Sequence, residues 1–381
     1  MFIQDFVLNG QATGDVAEAM AGCRFEPGLL RPYVDAKGRK CVTVNEGVDS
    51  EGHPKYRKML VSDVIQNMGV SSPVYNATSL RKQEWTMLDT AVLRAARQRL
   101  RAWSDLAAAN TFGGFNGMSK LVLEHETMSD PGTAVVDLDG LTDGRNDAPK
   151  FQLEGLPLPI THSDFWFSAR RLAVSRNTGT PIDSTMAEAA GRRVAEMIEK
   201  ITIGVETGIT FGDATQYGRT PTVYGYTNFP SRLTKTDITT PTGSNAASTL
   251  SDVLEMRDLL YDLNFYGPFM LYHSSDWDQF LDNDYTLTGG NVTTQTLRDR
   301  LRAIEGIQDV RRLDFFSSTF NLLLVQMTPD VARAVDGMGI TTVQWESQGG
   351  MRLNFKVMCI MVPQLRADYN GNCGICHGTT S

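Results

Sequence analysis

No apolar run in the sequence approaches the roughly 18 residues that a membrane-spanning helix needs, and a membrane partner is not expected. The opening residues, MFIQDFVLNGQ, lack the basic-then-apolar order of a secretory signal, so the chain is expected to stay in the compartment where it is made. Cysteine is sparse. The five lie at 23, 41, 359, 373 and 376, and an odd, scattered set suggests reduced thiols and no disulfide frame. A basic excess is also missing. Lys and Arg total 36 against 44 Asp and Glu, for a net charge of −8. Gripping nucleic acid by phosphate neutralisation needs the opposite balance. Such a chain can enclose nucleic acid but is not built to bind it tightly. Otherwise 41% hydrophobic and 21% charged residues are ordinary for a globular protein, and 381 residues suggest two or three lobes.

Catalytic and ligand constellations are equally scarce. FGGFNGMSK (112–120) has glycines and a late lysine, but it misses the phosphate-loop spacing and follows a helical pattern where that motif needs a strand. Cys373-Gly374-Ile375-Cys376-His377 formally matches a haem c attachment pattern. No export signal and no companion ligand accompany it, so it reads as a surface tail with two free thiols. Asp368, Asn370 and Asn372 imitate the start of a calcium loop, but its twelfth position is Thr379 where a bidentate Glu is required. The His residues at 53, 125, 162, 273 and 377 make no pair at helical spacing, and Ser274-Ser275 near His273 lacks the G-x-S-x-G elbow. No catalytic residue, metal or cofactor is assigned, and the chain is read as a non-enzyme.

What is present is organised around residues 155–204. Leu156, Leu158 and Ile160 alternate with Pro157, Pro159 and Thr161, and the extended pattern runs on through Ser168. After the turn marked by Pro181, Thr185 and Glu188 have capping-box spacing, with Asp183 and Ser184 as competing caps. Ala187, Ala190, Val194, Met197, Ile198 and Ile201 then form one apolar stripe of a long helix that could run past Gly204 toward Gly208. Small residues Ala189, Ala190 and Gly191 permit another element to approach closely.

Residues 1–77 are rich in turn formers and show no independent core. They read as an arm, with CVTV (41–44) as a strand and 56–68 as a short helix. Residues 78–110 pattern one helix, with Trp85, Leu88, Val92, Ala96, Leu100 and Trp103 mostly at three- and four-residue spacing and Asn76 or Thr78 as cap. Arg94, Arg97, Arg99 and Arg101 fall on other faces; an inner surface facing nucleic acid is one reading, and a solvated or subunit-facing edge is the favoured one. Strand-like pieces lie at 120–126, 133–139 and 150–155; the two joined by the DGLTDGRND turn region are expected to make a long hairpin, which without a core of its own should rest on something else.

Beyond residue 247, α and β patterns alternate. Helices are expected at 250–263, at 274–281 with a Ser cap, at 296–306, and at a Thr328-Pro329 start running through PDVARAV. Strands are expected at 267–273, from Asp309 and at 320–327, with a loop over 283–294. A closing hairpin is expected from 341–347 into 351–369.

Several of these pieces, in order, resemble the encapsulin-type branch of the tailed-phage major capsid fold, the Hong Kong 97 fold. LRKQEWTMLDTAVLRAARQRLRAW (80–103) resembles the N-terminal helix, and LPLPITHSDFWFSARRL (156–172) the strand into the P-domain. GTPIDSTMAEAAGRRVAEMIEKITIG (179–204) resembles the spine helix, with its lead-in at Gly179, Pro181 and Asp183, and GPFMLYHSSDWDQFL (267–281) the A-domain strand and helix. The resemblance covers about residues 80–370. It implies an α+β capsid fold: N-terminal arm and helix over 1–112, E-loop hairpin over 113–155, P-domain strand and spine helix over 156–215, A-domain over 216–335, and C-terminal P-domain strands and tail over 336–381.

It also implies a shell subunit that self-assembles into pentamers and hexamers, meeting its neighbours through the arm and the E-loop. The long N-terminal segment departs from minimal encapsulins and favours a virion shell, assembled in the host cytoplasm around double-stranded DNA without sequence-specific binding. Portal, scaffold or decoration proteins are then expected partners, and a nanocompartment around cargo enzymes is the alternative. Lys120 and Lys150 in the E-loop segment, with Arg94, Arg97 and Arg101, are the candidate intersubunit residues.

Overall fold

The computed structural model describes residues 33–35, 37, 39–48, 54–60, 82–97, 100–129, 136, 138–139, 148, 150–178, 185–212, 220–242, 246–286, 292–316 and 320–380. Three strands come first: β1 (Tyr33–Val34), β2 (Lys40–Val48) and β3 (Pro54–Leu60), in one antiparallel sheet. The helix expected over 56–68 is a strand as far as Leu60, because Tyr56 to Leu60 pair across to Asn45 through Cys41. Its remainder lies outside the described residues, as do Cys23 and the expected caps Asn76 and Thr78. Tyr33 and Cys41 are buried in the main core, so this segment is partly bound into the body and is not all arm.

The helix expected over 78–110 is two, α1 (Lys82–Arg97) and α2 (Ala102–Ala109). The first N–H groups of α2 donate to a side chain of another helix, Glu199 (Ala102 N at 2.7 Å, Trp103 N at 3.2 Å), which marks a fresh helix start. Next come β4 (Thr111–Phe112), β5 (Val122–Met128) and β6 (Phe151–Pro157). A hairpin forms here, but not between the expected strands: the piece at 150–155 pairs with β5 and not with 133–139, in register from Val122 opposite Pro157 to Met128 opposite Phe151. Most of the strand expected at 133–139 lies outside the described residues. β7 (Thr161–Ser168) leads into α3 (Ala169–Thr178), a helix the sequence reading lacked, and then α4 (Thr185–Ile203). Pro181, Asp183 and Ser184 fall outside the described residues.

The second half holds β8 (Leu233–Lys235), α5 (Ala246–Tyr261), β9 (Phe269–His273), α6 (Asp278–Leu281), β10 (Asp284–Thr286) and β11 (Val292–Thr296). It continues with α7 (Leu297–Arg302), β12 (Ile307–Arg312), β13 (Leu322–Gln326), β14 (Ala332–Ser347), β15 (Arg352–Leu365) and β16 (Ile375–Gly378). The loop expected over 283–294 therefore contains short paired strands. Ser274 precedes a 3-10 turn but gives no side-chain cap; its hydroxyl is buried without a partner. The helix expected after Thr328 is a single turn, since Ala332 already pairs with Leu365 in the long β14–β15 hairpin.

Two sheets carry the body. One runs β4-β14-β15-β7, the other β12-β9-β13-β16-β8. α4 lies on the inner face of the first. Phe165 stacks on Phe355 there, at 5.1 Å between ring centroids, and Leu353, Val357 and Cys359 continue the same face. Of the expected stripe, Ala187, Ala190, Val194, Ile198 and Ile201 are buried, whereas Met197 is 37% exposed. At about 100° per residue it sits at the margin of the buried arc. On the other side of α4, a Cβ on Gly191 would lie 2.8 Å from the carbonyl oxygen of Val92, so only glycine lets α1 come this close. The helix does not continue toward Gly208. Gly204 takes φ +96°, and the N–H groups of Gly204 and Val205 return to the Lys200 carbonyl.

The chain's last strand does not end in a surface tail. β16 runs between β13 and β8 in the second sheet, so residues expected with the C-terminal strands of the first sheet belong to the second. Among the described residues no helix is long and apolar enough to cross a membrane.

Ala190→Asp places a carboxylate in the contact between α4 and the core. It is expected to cost roughly 3 kcal/mol or more of folding stability, read as a lowered urea midpoint; an unchanged midpoint would show that the stripe is not buried.

Candidate functional site: the α4 junction and the outer faces

The residues closest to a polar centre lie where α4 meets the second sheet. Glu199 is buried on a row of small or polar α4 positions, with Ala195 and Thr202 at four- and three-residue spacing. Its carboxylate accepts from Ala102 and Trp103 at the start of α2. One turn along α2, Asp105 is buried too; it accepts from the Tyr272 hydroxyl at 3.0 Å and pairs with Arg311 of β12. Tyr226 stacks on Tyr272 at 6.2 Å, its hydroxyl buried without a partner. Burial raises the Glu199 carboxyl to about 7, against the pull of the α2 N–H groups, and the nearby Asp105 carboxylate adds to the rise. Burial also raises Asp105, although Arg311 opposes it. The cluster joins α4, α2, β9 and β12 as a structural clasp. Sequence reasoning missed it; the only signal was one acidic residue at helical spacing within a row of small side chains.

The sequence-derived site residues are not brought together. Arg94 reaches Glu188 on α4 at 2.9 Å, an exposed pair between helices of the same subunit. Arg101 donates to the Arg312 carbonyl at 3.3 Å. Arg97 is the last residue of α1, and its side chain lies outside the described residues. Lys120 is exposed at the base of the hairpin, 5.7 Å from the Phe115 ring centroid, while Lys150 is exposed toward its far end, its backbone paired with Ser129.

The motif Cys373-Gly374-Ile375-Cys376-His377 is buried, which corrects the surface-tail expectation. Cys373 joins the core around α4 and Cys376 the core under α5, so the two sulfurs face different cores. Burial pushes both thiols up to about 12 and lowers His377 to about 4. Unreactive neutral thiols in separate cores do not fit a shared haem or metal. Among the described residues no group of three or more His, Cys, Asp or Glu could hold a metal ion.

The hairpin and the first sheet make the exposed faces. Leu123, Leu156 and Leu158 at the hairpin base share a core with Val343, Met358, Ile360 and Val362, on the sheet face turned from most of α4, and Ile201 near the end of α4 joins that core. Farther out, Met128 is 56% and Phe151 61% exposed. Trp166, 52% exposed, lies on that same sheet face at its other end.

The sign of the Glu199 effect is definite. A carboxyl whose folded pKa is raised from 4.5 to about 7 stabilises the fold fully below its unfolded value, and this is lost as pH rises through about 7. Glu199→Gln is therefore expected to gain in thermal stability relative to the unaltered chain between about pH 5 and pH 8. A constant offset across that range, measured by circular dichroism melts, would show that Glu199 does not titrate there.

Solved structures place the architecture. A virus-like particle from Pyrococcus furiosus aligns with a TM-score of 0.50 at 15% identity, over 76% of this chain and 97% of that one. The capsid of Myoviridae phage XM1 aligns at 0.52 and 10% identity, over 72% and 90%. A structure from Mycobacterium phage Bobi aligns at 0.51 and 10%, over 74% and 90%. No curated protein matches the chain in sequence. The chain has the mixed α+β Hong Kong 97 fold. Residues 76–378 match the family of unknown function DUF6260, and the chain belongs to that family.

Proposed function

We propose that this chain is the repeating subunit of a closed icosahedral shell, a major capsid protein that encloses a double-stranded DNA phage genome. The observation that carries the reading is the β5–β6 hairpin, set on the Hong Kong 97 fold. Its base is packed on β14–β15, but its outer part presents Met128 and Phe151 to solvent. A two-stranded ribbon with apolar residues and no core of its own gains stability by lying on another surface. On this reading the hairpin is the E-loop, and α4 with the β14–β15 sheet is the P-domain. The second sheet with α5 and α7 is the A-domain, and β16 belongs to it.

A cargo-holding compartment is the second reading, favoured by the match that covers 97% of the Pyrococcus furiosus particle subunit. The genome shell is preferred because that match leaves part of this chain uncovered and because the β1–β3 sheet precedes the family region. The net charge of −8 suits either use, since an acidic subunit does not adhere to packed nucleic acid.

Expression of the full chain, followed by electron microscopy and sedimentation, is expected to give closed particles of uniform size. A chain that stays monomeric in every assembly condition overturns the proposal. Portal and terminase genes beside the coding gene would support the genome reading; a ferritin-like or peroxidase gene there would favour cargo.

A further inference from the structure

Charge is spread unevenly along the chain. Residues 33–60, which hold the β1–β3 sheet, carry six Lys or Arg against four Asp or Glu, a net charge of +2 in a chain of −8. The sheet is fixed to the body, because Tyr33 and Cys41 are buried in the same core as Leu88 and Val92 of α1, with Leu60 packed against it. What the sheet presents to solvent is therefore held in place.

Its positive end is built around one acid. The Asp35 carboxylate accepts from the backbone N–H groups of Lys37 and Arg39, each at 2.9 Å, which closes the turn between β1 and β2. The same carboxylate accepts from the Arg39 guanidinium (Nε at 3.1 Å, Nη2 at 3.0 Å) and from Lys58 Nζ of β3 at 3.0 Å. The Asp35 side chain is 8% exposed, whereas those of Arg39 and Lys58 are 51% and 46% exposed. The acid is covered and the cations face solvent. Lys37 is exposed as well, and among the described residues no carboxylate pairs with its ammonium.

Arginines of the second sheet are arranged differently. Arg311 lies between Asp309 and Asp105, and Arg312 between Asp278 at 2.8 Å and Asp314 at 3.1 Å. Their charge is matched by carboxylates on the spot. The turn at Asp35 is the reverse: Lys37, Arg39 and Lys58 have one carboxylate among them, which leaves an excess positive charge on an exposed patch. Such an excess on a fixed sheet attracts a polyanion. With so few charges the contact is weak, salt-sensitive and independent of base sequence.

We propose that the Asp35 turn of the β1–β3 sheet is a contact point for the phosphate backbone of the enclosed double-stranded DNA, made through Lys37, Arg39 and Lys58. Asp35 is a positioning residue, since it sets Arg39 and Lys58 side by side without being open to the ligand. The acidic remainder of the subunit repels phosphate. A few cations per subunit, repeated over a shell, hold the outer layer of DNA without gripping it. The proposal rests on the genome-shell reading and names the part of the subunit that the genome touches.

The test uses the full chain, below the concentration at which particles form, and a short fluorescein-labelled DNA duplex followed by anisotropy. Affinity is expected to fall as salt rises, with a log–log slope of about −3 for three phosphate contacts. Lys37→Gln should weaken binding by roughly fivefold and reduce the slope by about one, equally for duplexes of different sequence. Lys37 gives Asp35 only its backbone N–H, so this variant keeps the turn. Lys58→Gln should act alike, with melting curves establishing that it folds. Arg302→Gln removes a cation already paired with Asp309 and should leave binding unchanged. A Lys37→Gln chain that binds like the unaltered one, an equal loss in Arg302→Gln, or binding to phosphatidylserine vesicles and not to DNA overturns the contact. Closed particles from a chain that does not bind DNA overturn the contact and leave the shell reading standing. DNA binding by a chain that never forms particles overturns the shell reading and leaves the contact standing.

Discussion

The structure depends on α4 being packed on two sides at once, with only the side that carries Arg192, Arg193 and Met197 left exposed. One arc of small and branched residues meets the β15 and β7 aromatics, and a second row meets α1 and the start of α2. Such a helix leaves little room for side chains, and Gly191 shows the limit. It also brings an acid inside. Glu199 is held because α2 begins where its carboxylate lies, so helix ends that lack backbone partners are satisfied by the same group that would otherwise be a costly buried charge. Position and polarity are solved by one contact.

From that helix outward, the first sheet has two unlike faces. The inner one is aliphatic and aromatic and belongs to the chain's own core. The outer one is divided, its β14–β15 centre closed by the hairpin base and its β7 end carrying Trp166 beside Arg352 and the Lys356–Asp164 pair. The second sheet has its own core, lined by Trp277, Leu301 and Leu324 under α5. The Asp105–Arg311 pair and the stacked Tyr226 and Tyr272 bridge the two units.

Much of this was legible in the residues. The α4 stripe, the hairpin and the closing β14–β15 ribbon follow from periodicity, because each buries one face against a large neighbour. The misses share one cause. Residues 56–60 and the segment after Thr328 carry local helix signals, yet strand partners far away in sequence decide them. The break between α1 and α2 is set by Glu199, nearly a hundred positions later, which no local window contains. The Cys373–His377 segment reads as a tail because it follows the closing hairpin, but a strand slot between β13 and β8 takes it inside. The contact between Trp166 and Arg352 was unreadable for the same reason, because the two become neighbours only through strand register.

That slot also orders events in time. β8 pairs with β16 across most of the second half of the chain, Leu233 beside Cys376. Closing so long a loop carries an entropic penalty that local hairpins escape, so this pairing belongs late in folding. Until it forms, β13 and β8 keep open edges in one sheet, while the β14–β15 ribbon can already zip from its own turn. β16 follows β14 and β15 in sequence, so the strand that fills the slot in the second sheet is supplied only after the long ribbon of the first.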